Sequence, residues 1–200
     1  MNTLDRIQKR IFDVIVSSVL IVFFLLGFVL IALLVWIDLK EIFFKQKRVG
    51  RLGQTLVVWK FKTRRTIVGI DESEVDFQNN RLTKLGAVLR RLKLDELPQL
   101  FQVLVGQMSI IGPRPELPEY VKYHRELRAV VLSVKPGLID LAAIKYFDED
   151  SILQDQDDPK SFYIEVLLKE KMQMSLQTIN RGQLTRSLIV LKFILKRKHI

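Results

Sequence analysis

The sequence LDELPQLFQVLVGQMSIIGPRP, from Leu94 to Pro115, organises the fold around it. Its adjacent carboxylates, Asp95 and Glu96, stand just ahead of Pro98. Proline suits the first turn of a helix, because the N–H that it lacks would be unpaired there. We therefore predict that Asp95 is the N-cap of a helix. The apolar face of this helix repeats at helical spacing through Leu97, Leu100, Phe101 and Leu104.

The second half of the stretch predicts a strand and a turn. Gly106 is expected to end the helix, and Met108–Ile111 has the apolar run of a short buried strand. Gly112–Pro115 then predicts a stiff turn that holds Arg114 between two prolines.

These residue types suit phosphate chemistry. A helix N-terminus presents unpaired amides and a partial positive charge, which favour an anion. Asp95 and Glu96 there could hold a metal ion, or one of them could attack an electrophile. Arg114 on a rigid turn could clamp phosphate oxygens. The alternative is an acidic cap on an ordinary amphipathic helix, followed by a turn.

Composition limits the class of protein. The chain of 200 residues has no cysteine, which excludes disulfides and thiolate metal sites, and only two histidines. Its formal net charge of +10 implies an anionic partner: an anionic membrane face, phosphorylated substrates or nucleic acid. Nucleic acid is not expected, because the basic segments lack base-stacking aromatics apart from Trp59 and Phe61.

An uncharged apolar segment, Val14–Ile37, follows the amphipathic residues 1–13. As one helix it would be about 36 Å long, enough to cross a bilayer core, and a fully buried helix is the alternative. Gly27 is the predicted break of a re-entrant helix, and Ser17 and Ser18 are expected to bond to freed carbonyls. Basic residues flank both ends, namely Arg6, Lys9, Arg10, Lys40, Lys45, Lys47, Arg48 and Arg51. They favour the cytoplasmic side for both ends, but charge and length leave a spanning and a re-entrant segment open.

Residues 1–40 are predicted to form the membrane anchor, and residues 41–200 a domain on the membrane surface. Phe43–Phe44 with the lysines and arginines that follow predicts an interfacial collar next to anionic lipid. Val49–Gly53 predicts a turn, Leu56–Phe61 a strand and Thr83–Leu92 a helix that bears Arg90. Between them, the polar and acidic residues 71–80 predict a loop.

The C-terminal half predicts mainly helices. Glu116–Val134 is expected to be a charged surface helix, and Leu138–Tyr146 either a strand or a buried helix. The acidic residues of Asp148–Asp158 predict a solvated loop without calcium-loop spacing, and Ser161–Thr178 predicts a helix. Leu184–Ile200 favours an amphipathic helix on a membrane surface or an ordinary surface helix.

Several motifs together resemble the bacterial sugar transferases of the monotopic phosphoglycosyl transferase family. The matching motifs are KRIFD (Lys9–Asp13), FFKQKRVGRLGQ (Phe43–Gln54), WKFK (Trp59–Lys62), RLTKLGAVLRRLKLDELPQL (Arg81–Leu100), MSIIGPRPEL (Met108–Leu117) and KPG (Lys135–Gly137). With the apolar segment between them, they cover nearly the whole chain.

The resemblance implies an α+β, mostly helical, membrane-associated enzyme with a re-entrant helix and amphipathic interfacial helices. It implies that residues 41–200 form a cytoplasmic catalytic domain. Such enzymes transfer a sugar 1-phosphate from a UDP-sugar to polyprenol (undecaprenyl) phosphate and start surface glycan synthesis at the cytoplasmic face of the bacterial inner membrane. It implies that Asp95 and Glu96 form the catalytic dyad, with Asp95 as the nucleophile and UMP as the leaving group. It also implies that Mg²⁺ binds at Asp95 and Glu96, and that Arg90 and Arg114 bind phosphate. A homodimer is left open.

The chain departs from the family pattern in four places. Leu25, Leu26 and Gly27 replace the usual Ser-Pro at the helix break, and Gln107 replaces an aspartate. The run Ile139–Ala143 replaces the usual residues after KPG. A downstream arginine expected near Phe147 is either missing or replaced by Lys145. The rival hypothesis is a non-catalytic membrane-anchored scaffold, in which the dyad only caps a helix.

Overall fold

The computed structural model describes residues 3–67, 81–180 and 188, and it confirms a mostly helical α+β fold. The predicted loop at 71–80 lies outside the described residues, and so does the predicted C-terminal helix apart from Leu188. The α-helices are α1 (Thr3–Phe23), α2 (Leu25–Leu39), α3 (Lys84–Arg91), α4 (Gln99–Leu104), α5 (Arg125–Val131), α6 (Leu141–Lys145), α7 (Glu149–Gln154), α8 (Pro159–Phe162) and α9 (Leu168–Ile179). The strands are β1 (Phe43–Val49), β2 (Thr55–Phe61), β3 (Ser109–Ile111) and β4 (Gly137–Ile139). Single turns of 3₁₀ helix occur at Arg51–Gly53, Leu94–Glu96 and Pro118–Tyr120, and a π-helical turn at Tyr163–Leu167.

The apolar segment forms two helices, α1 and α2, with an angle of 64° between them. No single helix of the described residues is long and apolar enough to cross a membrane, and only α1 and α2 taken together meet that length and composition. The break is at Phe24, whose φ of −93° and ψ of 7° leave the helical region. Ser17 donates to the carbonyl of Asp13 at 2.6 Å, which is a back-bond inside α1 and not one to a carbonyl freed at the bend.

The predicted break at Gly27 is wrong, because Gly27 lies inside α2. Glycine permits a bend but does not impose one. The direction of α2 is set by packing at Phe28, whose ring lies 4.9 Å from that of Phe61 and 5.5 Å from that of Phe101. The bend therefore falls one turn ahead of Phe28, at Phe24.

Helix α1 is docked onto α4 and β3 by two polar side chains. Arg10 donates to the carbonyls of Val103 at 2.8 Å and Leu104 at 2.6 Å, at the C-terminal end of α4. Asp13 accepts hydrogen bonds from the hydroxyl of Ser109 at 3.0 Å and the amide of Ile110 at 2.9 Å. The KRIFD motif thus joins the N-terminal helix to α4 and β3.

The residues of the predicted collar form strand β1, which pairs antiparallel with the predicted strand β2. Phe43 lies opposite Phe61, and Val49 lies opposite Thr55. Side chains alternate across this hairpin. One face carries the buried or half-buried residues Phe44, Gln46, Arg48, Val58 and Lys60, and the other carries the exposed residues Lys45, Lys47, Val57 and Trp59.

Strands β3 and β4 are parallel and bring two motifs together. Ser109 lies opposite Gly137. A Cβ atom on Gly137 would lie 2.2 Å from the amide nitrogen of Gly112, so the two backbones can approach only because both residues are glycine. The amide of Gly137 donates to the carbonyl of Pro113 at 2.8 Å. The KPG motif therefore packs against the GPRP turn and bonds to its backbone.

Asp95 is not the N-cap of the following helix. The acidic pair forms the 3₁₀ turn Leu94–Glu96, and α4 begins only at Gln99, with Pro98 in the N-cap position. The left-handed backbone of Lys93, with φ 52°, starts this turn, and the amide of Leu97 closes it on Leu94. The buried face of α4 consists of Gln99, Leu100, Gln102 and Val103, and the predicted face residue Phe101 is exposed. The helix end near Gly106 and the strand after it are confirmed.

Two further predictions, the helix at Glu116–Val134 and the acidic loop at Asp148–Asp158, are wrong. The predicted helix is split into a 3₁₀ turn and α5, because Pro118 and the left-handed His124 (φ 50°) interrupt it. The acidic loop contains helix α7, whose Leu153 is buried in the core.

Leu138–Tyr146 contains both predicted alternatives, as β4 and then α6. The helices predicted at Thr83–Leu92 and Ser161–Thr178 are confirmed, the second with a π-helical turn inside it.

Candidate active site

A cleft of about 250 Å³ brings the four predicted site residues together. Asp95 and Glu96 from the 3₁₀ turn, Arg90 from α3 and Arg114 from the GPRP turn all line it. Its other cations include Arg48, Lys60, Lys62, Arg64, Arg65, Arg81, Lys93 and Lys171. Such a density of cations in one cleft suits a ligand with several negative charges.

Glu96 is clamped between two cations. Lys60 lies 3.1 Å from Glu96 Oε1, Arg114 Nη1 donates to Oε2 at 3.1 Å, and Arg114 Nη2 also donates to Oε1. Burial on its own would raise the pKa of Glu96, but Arg114 and then Lys60 outweigh it and hold the pKa well below its usual value. Glu96 in turn raises the pKa of Arg114. The pair is therefore ionised and fixed in orientation.

Asp95 has the opposite environment. Its side chain is buried, and its Oδ1 atom accepts no hydrogen bond from the described residues. Burial raises the pKa of Asp95, and the nearby charge of Lys60 opposes that rise. Adjacent carboxylates thus play different parts: Glu96 holds cations in place, whereas Asp95 keeps an uncommitted oxygen in the cleft.

The uncommitted oxygen of Asp95 is the feature that fits a divalent cation. A buried carboxylate oxygen without a protein partner is the donor type that Mg²⁺ prefers. Glu96, the other predicted metal ligand, already bonds to cations through both oxygens. Within the described residues no three acidic or histidine side chains form a metal-binding cluster. The structure therefore fits Mg²⁺ at Asp95 better than at Glu96.

Arg90 lines the cleft but is held by an acidic residue of α7. Its Nη2 atom lies 2.9 Å from Asp150 Oδ1 and 2.8 Å from Oδ2. The Asp150 side chain is 41% exposed, so water can replace it as a partner when Arg90 turns toward a phosphate.

Two other predicted positions lie away from the cleft. Lys145 is 52% exposed and pairs with Glu170 at 2.8 Å, so of the two alternatives for the downstream arginine, its absence fits the structure. Gln107 is exposed, and its side-chain oxygen accepts from Gln102 at 3.1 Å. Gln102 also bonds to the backbone of β2, so Gln107 belongs to the contact between α4 and the hairpin.

Sequence reasoning missed several residues of the cleft, above all Lys60, Arg48, Glu149 and Lys171. Lys60 could have been found from the alternation of β2, because it has the same parity as the buried Val58. Glu149 and Lys171 reach the cleft because α7 packs against α9. No local sequence pattern predicts that long-range contact.

Comparison with known proteins agrees with this site. The family model described as bacterial sugar transferase matches residues 4–191. The chain is 38% identical over 150 residues to a UDP-glucose:undecaprenyl-phosphate glucose-1-phosphate transferase of Klebsiella pneumoniae, covering 72% of this chain and 32% of that protein. It is 33% identical over 151 residues to the Escherichia coli (strain K12) protein of the same name, covering 72% of this chain and 32% of that one. It is 35% identical over 159 residues to the exopolysaccharide production protein ExoY of Rhizobium meliloti (strain 1021), covering 70% of each chain.

The chain thus spans about a third of the length of the first and second of these relatives, and most of ExoY. The matched region includes the hairpin, the acidic dyad, the GPRP turn and α9. The agreement of the family match with the resemblance of the motifs leads to one conclusion: the chain belongs to the bacterial sugar transferase family, with the phosphoglycosyl transferases.

Proposed function

We propose that this protein transfers a sugar 1-phosphate from a UDP-sugar to polyprenol (undecaprenyl) phosphate. The observation that carries the proposal is the buried, uncommitted oxygen of Asp95 within a cleft rich in cations. The names of the Klebsiella and Escherichia relatives support the class of donor and acceptor.

In the first step, a carboxylate oxygen of Asp95 attacks the phosphorus that bears the sugar. An oxygen–phosphorus bond forms, the bond from that phosphorus to the bridging oxygen breaks, and UMP leaves with that oxygen. In the second step, an oxygen of polyprenol phosphate attacks the same phosphorus and releases Asp95. No general base is needed to deprotonate the acceptor, because the attacking phosphate oxygen is already an anion.

The cations of the cleft stabilise the charge that moves in these steps. Arg114 stays charged beside Glu96 and presents the planar guanidinium that suits nonbridging phosphate oxygens. Lys60 and Arg90 add charge for the departing UMP. Glu96 acts as a positioning residue, since it fixes Lys60 and Arg114.

Mg²⁺ is the proposed cofactor, with Asp95 as its first candidate ligand. When bound, it supplies neutralisation of the diphosphate and a better leaving group.

We further propose that the enzyme lies at the bacterial inner membrane, with the cleft facing the cytoplasm. Leu26, Phe23 and Val22 surround the bend and are 87%, 75% and 73% exposed. Large apolar side chains so exposed at the tip of a bent helix pair favour a tip embedded in one leaflet over one in water. Such a re-entrant segment returns both of its ends to the cytoplasmic face, where a soluble UDP-sugar can meet a lipid acceptor.

Incubating the protein in detergent with UDP-sugars labelled in the sugar tests the proposal. Without lipid, we expect about one UMP and one protein-bound label per enzyme, and added polyprenol phosphate should move the label to lipid. A protein that releases no UMP from any sugar of a broad panel would instead support the scaffold hypothesis. Release only of free sugar phosphate would contradict transfer.

The acid limb of UMP release should lie above the ordinary carboxyl pKa of 3.8, because only ionised Asp95 attacks and burial raises its pKa. The rate falls as the pH falls through this raised value. Lys60→Met should move the limb to still higher pH, since the charge of Lys60 lowers the pKa of Asp95. The measurement is kcat/KM for UMP release against pH. Lys45→Met, an exposed residue of the same hairpin, is the control, and a shift to lower pH in Lys60→Met would contradict this role.

A further inference from the structure

One part of the cleft has a chemistry that the proposed steps do not use. We call it the acidic–aromatic wall, and it consists of Glu116, Tyr120, Tyr146, Glu149, Tyr163 and Lys171. These residues come from the segment after β3 and from the elements between α6 and α9. Carboxylates repel phosphate groups, which carry the same charge. Neutral hydroxyl groups, in contrast, can donate hydrogen bonds to carboxylate oxygens.

A continuous chain of polar contacts joins four residues of the wall, namely Glu116, Glu149, Tyr163 and Lys171. Lys171 Nζ donates to both oxygens of Glu149 at 3.0 Å and lies 3.2 Å from the hydroxyl of Tyr163. That hydroxyl donates to Glu116 Oε2 at 2.7 Å, and Arg48 lies 3.6 Å from Glu116 Oε1. The side chains of Lys171 and Glu149 are only 11% and 24% exposed. These four groups are therefore held in place before any ligand binds.

The π-helical turn at Tyr163–Leu167 aligns this chain of contacts. In a regular α-helix, Tyr163 and Lys171 would lie about 80° apart around the axis, at about 100° per residue. One residue inserted by a π turn removes about 100° from that difference and leaves them within about 20° of each other. Both side chains consequently face the cleft, where such turns often serve function.

Glu149 connects this wall to the phosphate site. Burial on its own would raise the pKa of Glu149, but Lys171 and then Arg114 outweigh it, so the pKa is lowered and the group is ionised. Arg114 is thus within electrostatic range of Glu149 while it bonds to Glu96. Glu149 and Arg114 line the same cleft, and Asp150, next to Glu149 in sequence, lies 2.8 Å from Arg90, so a group attached to a phosphate bound by these arginines shares the cleft with Glu149.

We propose that Glu149, oriented by Lys171, accepts hydrogen bonds from hydroxyl groups of the transferred sugar and so selects the sugar. This inference rests on the proposed function. The sugar is the neutral, hydroxyl-rich part of the donor, whereas UMP is an anion that the basic residues Lys62, Arg64 and Arg81 suit better. Apolar atoms of Leu168 and Met172, which line the same cleft, can contact the C–H face of a sugar ring.

Kinetics of Glu149→Gln test the inference. Loss of a charged acceptor should raise KM for the preferred UDP-sugar about tenfold or more, with kcat little changed and the inhibition constant of UMP within about twofold of wild type. A UDP-sugar that lacks the bound hydroxyl should be a poor substrate for the wild type but should suffer no further penalty in the variant. Glu126→Gln is the matched control, because Glu126 is exposed on α5 and does not line the cleft.

The outcomes separate the two proposals. If the wild type releases UMP but Glu149→Gln behaves like Glu126→Gln, the sugar-binding role is wrong and the transfer reaction stands. Equal weakening of UMP and UDP-sugar binding would also overturn it, since Glu149 would then act only by holding Arg114. A wild type that releases no UMP would overturn both. If Glu149→Gln unfolds, the charge-balanced variant Glu149→Gln with Lys171→Met is judged by the same comparison.

Discussion

Replacing Asp95 by asparagine is expected to abolish sugar labelling of the protein and to lower UMP release by at least about 10³-fold. The amide has nearly the shape of the carboxylate but is not a nucleophile toward phosphorus. The fold should survive, because burial already disfavours the charged form of Asp95 and raises its pKa, and the substitution removes that buried charge. The midpoint of thermal unfolding should therefore be no lower than that of the wild type.

Asp157→Asn is the control for this change, because Asp157 is exposed and does not line the cleft. It should retain wild-type labelling. Full labelling of Asp95→Asn would assign the nucleophile to another residue. Retained UMP release without labelling would show direct attack by water or acceptor, with no aspartyl intermediate.

The different roles of the two adjacent acids follow from the turn that carries them. In a 3₁₀ turn, successive side chains point about 120° apart. Glu96 can therefore meet Lys60 and Arg114 while Asp95 keeps a free oxygen. Two carboxylates in one cleft would otherwise disfavour each other's ionisation, and Glu96 does raise the pKa of Asp95. The cations around Glu96 offset that effect.

The sequence predicted those elements whose hydrophobic pattern is local. Helix α3 follows its N-cap Thr83, and strand β2 follows from its apolar run. Strand β1 was missed because its inward side chains include Gln46 and Arg48, so no apolar–polar alternation is visible. Its inward polar groups serve the cleft, and function there overrides the usual pattern.

Long-range contacts explain what the sequence could not predict in the site. The motif pairs Asp95 with Arg114, and the structure brings them into one cleft as expected. The acidic residues after Phe147 predicted only a solvated loop, because their partners are remote. Asp150 pairs with Arg90, 60 residues away, and Glu149 pairs with Lys171, 22 residues away. Helix α7 exists because these pairs and the buried Leu153 hold it.

Asp13→Ala is expected to lower the free energy of unfolding by about 2–4 kcal/mol. Asp13 is only 4% exposed, and its loss leaves the hydroxyl of Ser109 and the amide of Ile110 buried without their acceptor. The measurement is denaturant unfolding in a mild detergent, followed by tryptophan fluorescence. Asp5→Ala is the matched control on the exposed part of α1, with an expected change within about 0.5 kcal/mol.

The same variant decides whether α1 is only an anchor. Strand β3, which Asp13 holds, continues directly into the turn that carries Arg114. If α1 is part of the catalytic fold, Asp13→Ala should lower kcat for UMP release as well as stability, and a chain that begins at residue 41 should not fold. If Asp13→Ala matches Asp5→Ala and the shortened chain folds and releases UMP, the division into an anchor of residues 1–40 and a catalytic domain of residues 41–200 is the better description. The contacts of Arg10 and Asp13 favour the first outcome, because both fix backbone groups next to the site rather than lipid-facing side chains.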